Sequence, residues 1–159
     1  MLTRFVKSAH FLNSPQKPTK TMKNPIKILL IDDDCDVRAT LSAQLIHRMA
    51  CEISEAASAE EGLELINGSS TAFDVVLTDV TMPGMDGFEF IRILRENGLE
   101  IPVLLMSGDI DLSDDDADHT SERSYCNFIP KPWKVEMISE KLHECVSNQE
   151  PMPAIEGRH

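Results

Sequence analysis

Short apolar runs alternate five times along this chain with segments of helical period or polar filler, and few folds accept that pattern. The run Ile28 to Ile31 has the character of a buried strand, and Val37, Leu41, Leu45 and Met49 follow it at a spacing of four. A second strand is predicted around Cys51 to Ser54. Ser58-Ala-Glu-Glu61 then predicts a capping box that opens a helix through Leu65. Val75 to Thr78 reads as the third strand, and Phe88, Ile91 and Leu94 supply the inner face of a third helix ending near Gly98. Val103 to Met106 and Asn127 to Ile129 read as the fourth and fifth strands. Between them, Asp111 to Ser124 is overwhelmingly polar and predicts only a weak fourth helix, whereas Val135, Ile138, Leu142 and Cys145 or Val146 line a last amphipathic helix. Five such units in series require a parallel sheet with right-handed crossovers and helices on both faces, a doubly wound α/β domain.

Sheets of this kind bind ligands beyond the carboxyl ends of their strands, where the winding direction changes. Those ends carry Asp32, Asp33 and Asp34 after the first strand, Asp79 after the third, Ser107 after the fourth and Lys131 after the fifth. Two or three carboxylates brought together repel one another and raise each other's pKa unless a cation sits among them. Magnesium suits such a small, open, acidic cup, because it keeps several waters and takes one or two carboxylates together with phosphate oxygens; calcium is less natural there. Asp34 and Asp36 read differently, as N-cap candidates for the first helix.

Asp79 ends the run VVLTD, before a Pro- and Gly-rich loop, VTMPGMDG, that presents its carboxylate at an exposed edge. A carboxylate can act as a nucleophile toward phosphorus, and phosphoryl transfer asks the protein mainly for positioning and charge neutralisation. Lys131 offers a fixed positive charge and Ser107 a hydroxyl. Singly, a Lys before Pro132 or a Ser before Gly108 is an ordinary turn residue; their convergence at strand ends singles them out.

The 159 residues fit one ordinary domain with tails. A formal net charge of -12 argues against non-specific binding to nucleic acid, which rests on Lys and Arg neutralising phosphates. No apolar run approaches the roughly 20 residues that cross a bilayer, so no membrane partner is expected. Cys35, Cys51, Cys126 and Cys145 are scattered without a CxxC pair and read as reduced thiols in a cytoplasm. Residues 1–24 are basic and free of acids. They read as a disordered extension, or as a start assigned too early with Met22 first, and they lack the apolar stretch of a secretory signal. The domain is expected over 25–147, and 148–159 as a flexible tail whose end, Ile155 to His159, resembles a protease-cleavage linker and tag remnant.

The motifs KILLIDDD, VVLTDVTMPGMDG, PVLLMSG and the later KP occur in order, each after its expected strand. Together they resemble the receiver domain of two-component response regulators, of the single-domain, chemotaxis-regulator-like kind, over about Lys27 to Val146. The resemblance implies a flavodoxin-like strand order, 2-1-3-4-5, and a magnesium-dependent aspartyl-phosphate switch rather than an enzyme. Asp32 and Asp33 would form the acidic pair holding magnesium, with Asp33 a direct ligand. Asp79 would be the phosphoacceptor and a further ligand, and Thr81 would lend its backbone carbonyl. Ser107 and Lys131 would bind the phosphoryl oxygens, and Phe128 occupies the place of the aromatic switch residue, with a simple core aromatic as the alternative. In the switch the resemblance implies, the Ser107 loop moves inward and the ring turns to fill the space, reshaping the face made by the fourth helix, fifth strand and fifth helix. The implied partners are a sensor histidine kinase or histidine phosphotransfer protein and an output protein. The chain can also be the receiver of a longer regulator or hybrid kinase, or a degenerate receiver acting by binding alone. The Lys131-Pro132 bond is expected to be cis, and Thr81 and Asp109 to influence hydrolysis.

Two features depart from the family pattern. Pro130, directly before Lys131, cannot donate to the ladder, which is tolerable on an edge strand, and 111–124 offers few apolar anchors for a helix on the expected output face. Haloacid-dehalogenase-like phosphatases also use an Asp nucleophile with magnesium and Lys, but need DxDx[TV] after the first strand, whereas the strongest Asp loop here follows the third. A flavin-binding module would need Ser, Thr and backbone donors around its phosphate, where this chain places an Asp triplet.

Overall fold

A computed structural model describes residues 24–70, 72–108 and 126–148. Their elements run β1 (Ile26–Ile31), α1 (Cys35–Arg48), β2 (Cys51–Ala56), α2 (Ala59–Gly68), β3 (Val75–Asp79), α3 (Gly87–Glu96), β4 (Val103–Ser107), β5 (Cys126–Pro130) and α4 (Val135–Ser147). All strand pairs are parallel, in the order β2-β1-β3-β4-β5. This is the predicted doubly wound, flavodoxin-like sheet. The last predicted helix is α4 here, because the weak helix expected over 111–124 lies outside the described residues. So do Asp109 and both predicted tails apart from Asn24 and Asn148.

Side chains on a strand alternate between the two faces, so a central strand buried on both sides feeds two cores. Ile28 and Leu30 of β1 enter one, closed by Leu41 and Leu45 of α1 and by Ile138 and Leu142 of α4. Leu29 and Ile31 enter the other, closed by Ala59 of α2 and by Phe90, Ile91 and Leu94 of α3. Contact on this second face is close: a Cβ on Gly62 of α2 would lie 2.5 Å from Ile31 Cδ1 and 3.5 Å from Phe90 Cε2.

The helix ends follow local chemistry. Asp34 caps α1, its carboxylate accepting the Asp36 and Val37 amides, which settles the choice between Asp34 and Asp36. Ser58 caps α2 by accepting the Glu61 amide at 3.1 Å, but the Glu61 carboxylate accepts from Ala57 N–H, one residue before the reciprocal bond of a capping box. The helix then runs to Gly68, beyond the predicted Leu65, and β2 extends past Ser54 to Ala56. α3 stops where Gly98, at φ +72°, and Leu99 donate back to Arg95 and Leu94, a Schellman arrangement. No helix among the described residues is long and apolar enough to cross a membrane.

Candidate functional site

The chain steps from β1 outward to β2 and then returns to the other side of β1 for β3, so the winding direction reverses between β1 and β3. The crevice at the carboxyl ends of these strands is where a ligand fits. Asp32 follows β1 and is 1% exposed, Asp79 is the last residue of β3, Ser107 the last of β4, and both of these are buried. Asp33 is exposed at the mouth. One carboxylate oxygen from each of Asp32, Asp33 and Asp79 lies within 4.8 Å of the others. Lys131 reaches in from the end of β5, its Nζ 3.2 Å from Asp79 Oδ2 and 3.8 Å from Asp32 Oδ2.

Local structure fixes the pieces. Val80 N–H continues the ladder to Met106 O, and the Thr78 hydroxyl donates to the Asp79 carbonyl at 3.1 Å. Gly87, at the start of α3, comes so close that a Cβ there would sit 2.8 Å from the same carbonyl and 2.9 Å from Leu105 Cδ2. A side chain at position 87 would therefore push on the backbone of Asp79. Across the loop Gly84 takes φ +79°, and the Met85 amide donates to Glu60 of α2 at 3.2 Å. Lys131 is oriented by its own amide, which donates to Ser107 O at 2.6 Å, and its ammonium lies 5.3 Å from the Trp133 ring centroid. The Lys131-Pro132 bond is cis, as expected, and Pro130 sits on an edge strand.

Asp32 is the electrostatically uncomfortable member. Its Oδ1 accepts the Asp34 amide at 2.9 Å, but its Oδ2 is buried and has no hydrogen-bond partner. Burial pushes its carboxyl above the ordinary Asp range; the Asp34 amide and Lys131 pull it back, and Asp79 and Asp33 push it up again. A raised pKa in the folded state means that folding favours the protonated acid, so this group's contribution to stability is present at low pH and is lost as pH rises through the folded pKa. In magnesium-free buffer Asp32→Asn is accordingly expected to raise the melting temperature, with a margin over wild type that widens from pH 4 to pH 7. A margin independent of pH in paired melts would show that Asp32 carries no such charge cost.

Thr81 lies two residues past Asp79 and its side chain is exposed. Phe128, on β5, is 40% exposed rather than a core residue, and its ring stands 6.0 Å from that of Phe88 at 46°. The cysteines Cys35, Cys51 and Cys145 are free thiols. Arg38 was not foreseen. One turn into α1, it donates from Nη1 to the Asp32 carbonyl at 2.6 Å, and no motif signal marks it because the contact depends on reach across the β1–α1 turn.

The family model described as response regulator receiver domain matches residues 28–143. Response regulator MprA of Mycolicibacterium vanbaalenii is 30% identical over 133 residues, 80% of this chain and 53% of its own length. DNA-binding transcriptional regulator NtrC of Proteus hauseri is 29% identical over 122 residues, 76% of this chain and 24% of its own. Among solved structures, chemotaxis response regulator CheY4 of Vibrio cholerae matches with a TM-score of 0.66 at 26% identity, over 77% of this chain and 99% of that one. The chain thus spans about half the length of MprA and about a quarter of NtrC.

Proposed function

The chain belongs to the response regulator receiver domain family, and on that premise we propose that Asp79 accepts a phosphoryl group from a phosphohistidine with magnesium held beside it. Receiver domains are signalling domains of two-component systems rather than conventional enzymes, and they take phosphoryl groups from kinases. The observation that carries the reading is the convergence of Asp32, Asp33 and Asp79 within 4.8 Å, with Lys131 3.2 Å from Asp79.

The donor set fits a hard divalent cation. Its atoms are carboxylate oxygens, and the buried Oδ2 of Asp32, which makes no hydrogen bond and faces Lys131 Nζ only at 3.8 Å, is an acceptor that a cation would satisfy. Asp32, Asp33 and Asp79 would hold the ion, with the Thr81 carbonyl as a further donor. Bound magnesium would supply neutralisation of the phosphoryl oxygens. The chain's own groups supply the rest. An Asp79 carboxylate oxygen attacks phosphorus, the bond from phosphorus to the donor imidazole nitrogen breaks, and its electron pair stays with the imidazole. Lys131 and the Ser107 hydroxyl hold two of the oxygens. Turning of the half-exposed Phe128 ring against Phe88 would carry the state of Asp79 to the edge of the sheet formed by β5 and α4, where a protein partner reads it. The DNA-binding named for NtrC describes that protein; for this chain a protein partner is proposed, with no direct contact to nucleic acid.

Intact mass after incubation with acetyl phosphate tests the reading. A gain of one phosphoryl mass is expected with magnesium and is absent when the metal is chelated. A correctly folded protein that gains nothing would be a receiver that signals by binding alone.

A further inference from the structure

The acidic cup is tied to the far edge of the sheet by side chains that no ligand would touch. Arg38 Nη1 donates to the Asp32 carbonyl at 2.6 Å. Its Nε, buried and without a hydrogen bond, faces Glu55 Oε2 of β2 at 3.6 Å, and the other oxygen of Glu55 accepts the Ser42 hydroxyl at 2.6 Å. The Arg38 side chain is 16% exposed and Ser42 is buried, while the Glu55 side chain between them is 40% exposed, so the guanidinium is sheltered and the network opens to solvent only at Glu55.

We infer that Arg38 is a positioning residue for the metal site: it holds the Asp32–Asp33 peptide so that both carboxylates face the same point, with Glu55 and Ser42 keeping the guanidinium in place. The peptide carbonyl it grips belongs to the plane that also contains the Asp33 nitrogen and leads to the Asp33 Cα, so fixing that oxygen fixes the direction in which Asp33 leaves the turn. The Asp34 amide holds the other end by donating to Asp32 Oδ1 at 2.9 Å. Between these two restraints Asp32 keeps one conformation, in which Oδ2 is buried and aimed into the cup. Partners one step removed from a metal commonly change its affinity about 10–100-fold when mutated, because they decide how much ordering the ion must impose on its ligands.

The inference rests on the metal reading above, and magnesium titration separates the two. Binding is followed by calorimetry and by the fluorescence of Trp133, the chain's one tryptophan, whose ring lies beside Lys131. Arg38→Gln is expected to weaken magnesium about tenfold or more, Arg38→Lys to recover part of the loss, and Glu55→Gln, which reaches the site only through Arg38, to weaken it by a smaller factor. The sign decides the cause. Removing a cation from beside a cation site tightens binding by simple Coulomb repulsion, so weaker binding reports lost positioning, whereas unchanged or tighter binding in folded Arg38→Gln overturns the inference. Where melting curves show Arg38→Gln to be unfolded, Arg38→Lys, which keeps the charge and loses the fork that spans the Asp32 carbonyl and Glu55, carries the test: weaker magnesium binding supports the inference and unchanged binding overturns it. Wild-type protein that binds no magnesium overturns the metal reading and this one with it. Wild type that binds, with binding lost in Asp33→Asn and untouched in Arg38→Gln, overturns this inference alone.

Discussion

Asp79→Asn is expected to take up no phosphoryl group under conditions in which the wild type gains one. An amide has no carboxylate oxygen to attack phosphorus, and it is close to isosteric with the acid it replaces. The fold should keep its place for the side chain, since the Asp79 backbone is held by the Thr78 hydroxyl and by the close approach of Gly87. Circular dichroism and a cooperative melt of the variant distinguish loss of chemistry from loss of structure. Intact mass and peptide mapping read the result. A variant that still gains one phosphoryl mass, mapped to Asp32 or Asp33, would move the acceptor off β3 and defeat the assignment.

Phe90→Ala is expected to be the most destabilising simple truncation, at about 3–5 kcal/mol, because a large buried ring is lost and the space it leaves cannot close. Phe90 is fully buried and heads the largest buried side chains; its ring packs next to Gly62, where α2 already lies against Ile31 with no slack. For a domain whose whole stability is of the order of 5–15 kcal/mol, that loss removes a large share. Denaturant titration measures it as a fall in midpoint with the slope unchanged. A cost below about 1 kcal/mol would mean that α2 and α3 collapse into the vacancy, and that the tight contact at Gly62 does not constrain them.

The sequence was most legible where a residue's surroundings follow from its neighbours along the chain. Apolar runs such as Ile28 to Ile31 announced strands, and the Asp, Ser and Lys residues after those runs were brought to one end of the sheet once the winding was known. The Asp34 cap and the Gly98 stop are local events of the same kind. Arg38 was not legible, because its role depends on a guanidinium reaching back over the turn to a backbone oxygen and across to Glu55, and neither contact leaves a spacing pattern. The shift of the Glu61 bond from Ser58 to Ala57 is a matter of ångströms that residue types do not encode. For Phe128 the sequence left two readings open, switch aromatic or simple core aromatic, and the second fails because β5 is an edge strand and leaves the residue 40% exposed.

The turn from Asp79 to Gly87 is clamped at both ends, by the β3 ladder and Thr78 at one and by the Gly87 amide donating to Val80 O at 2.9 Å at the other. Substitutions at the exposed Thr81 and Pro83 inside the clamp can therefore alter the rim of the cup without displacing the proposed acceptor, whereas Met82 is buried, Gly84 holds φ +79° and Asp86 caps α3. Those two positions are where a designer would diversify the molecule, and position 87, whose Cβ would meet the Asp79 carbonyl, is where none should begin.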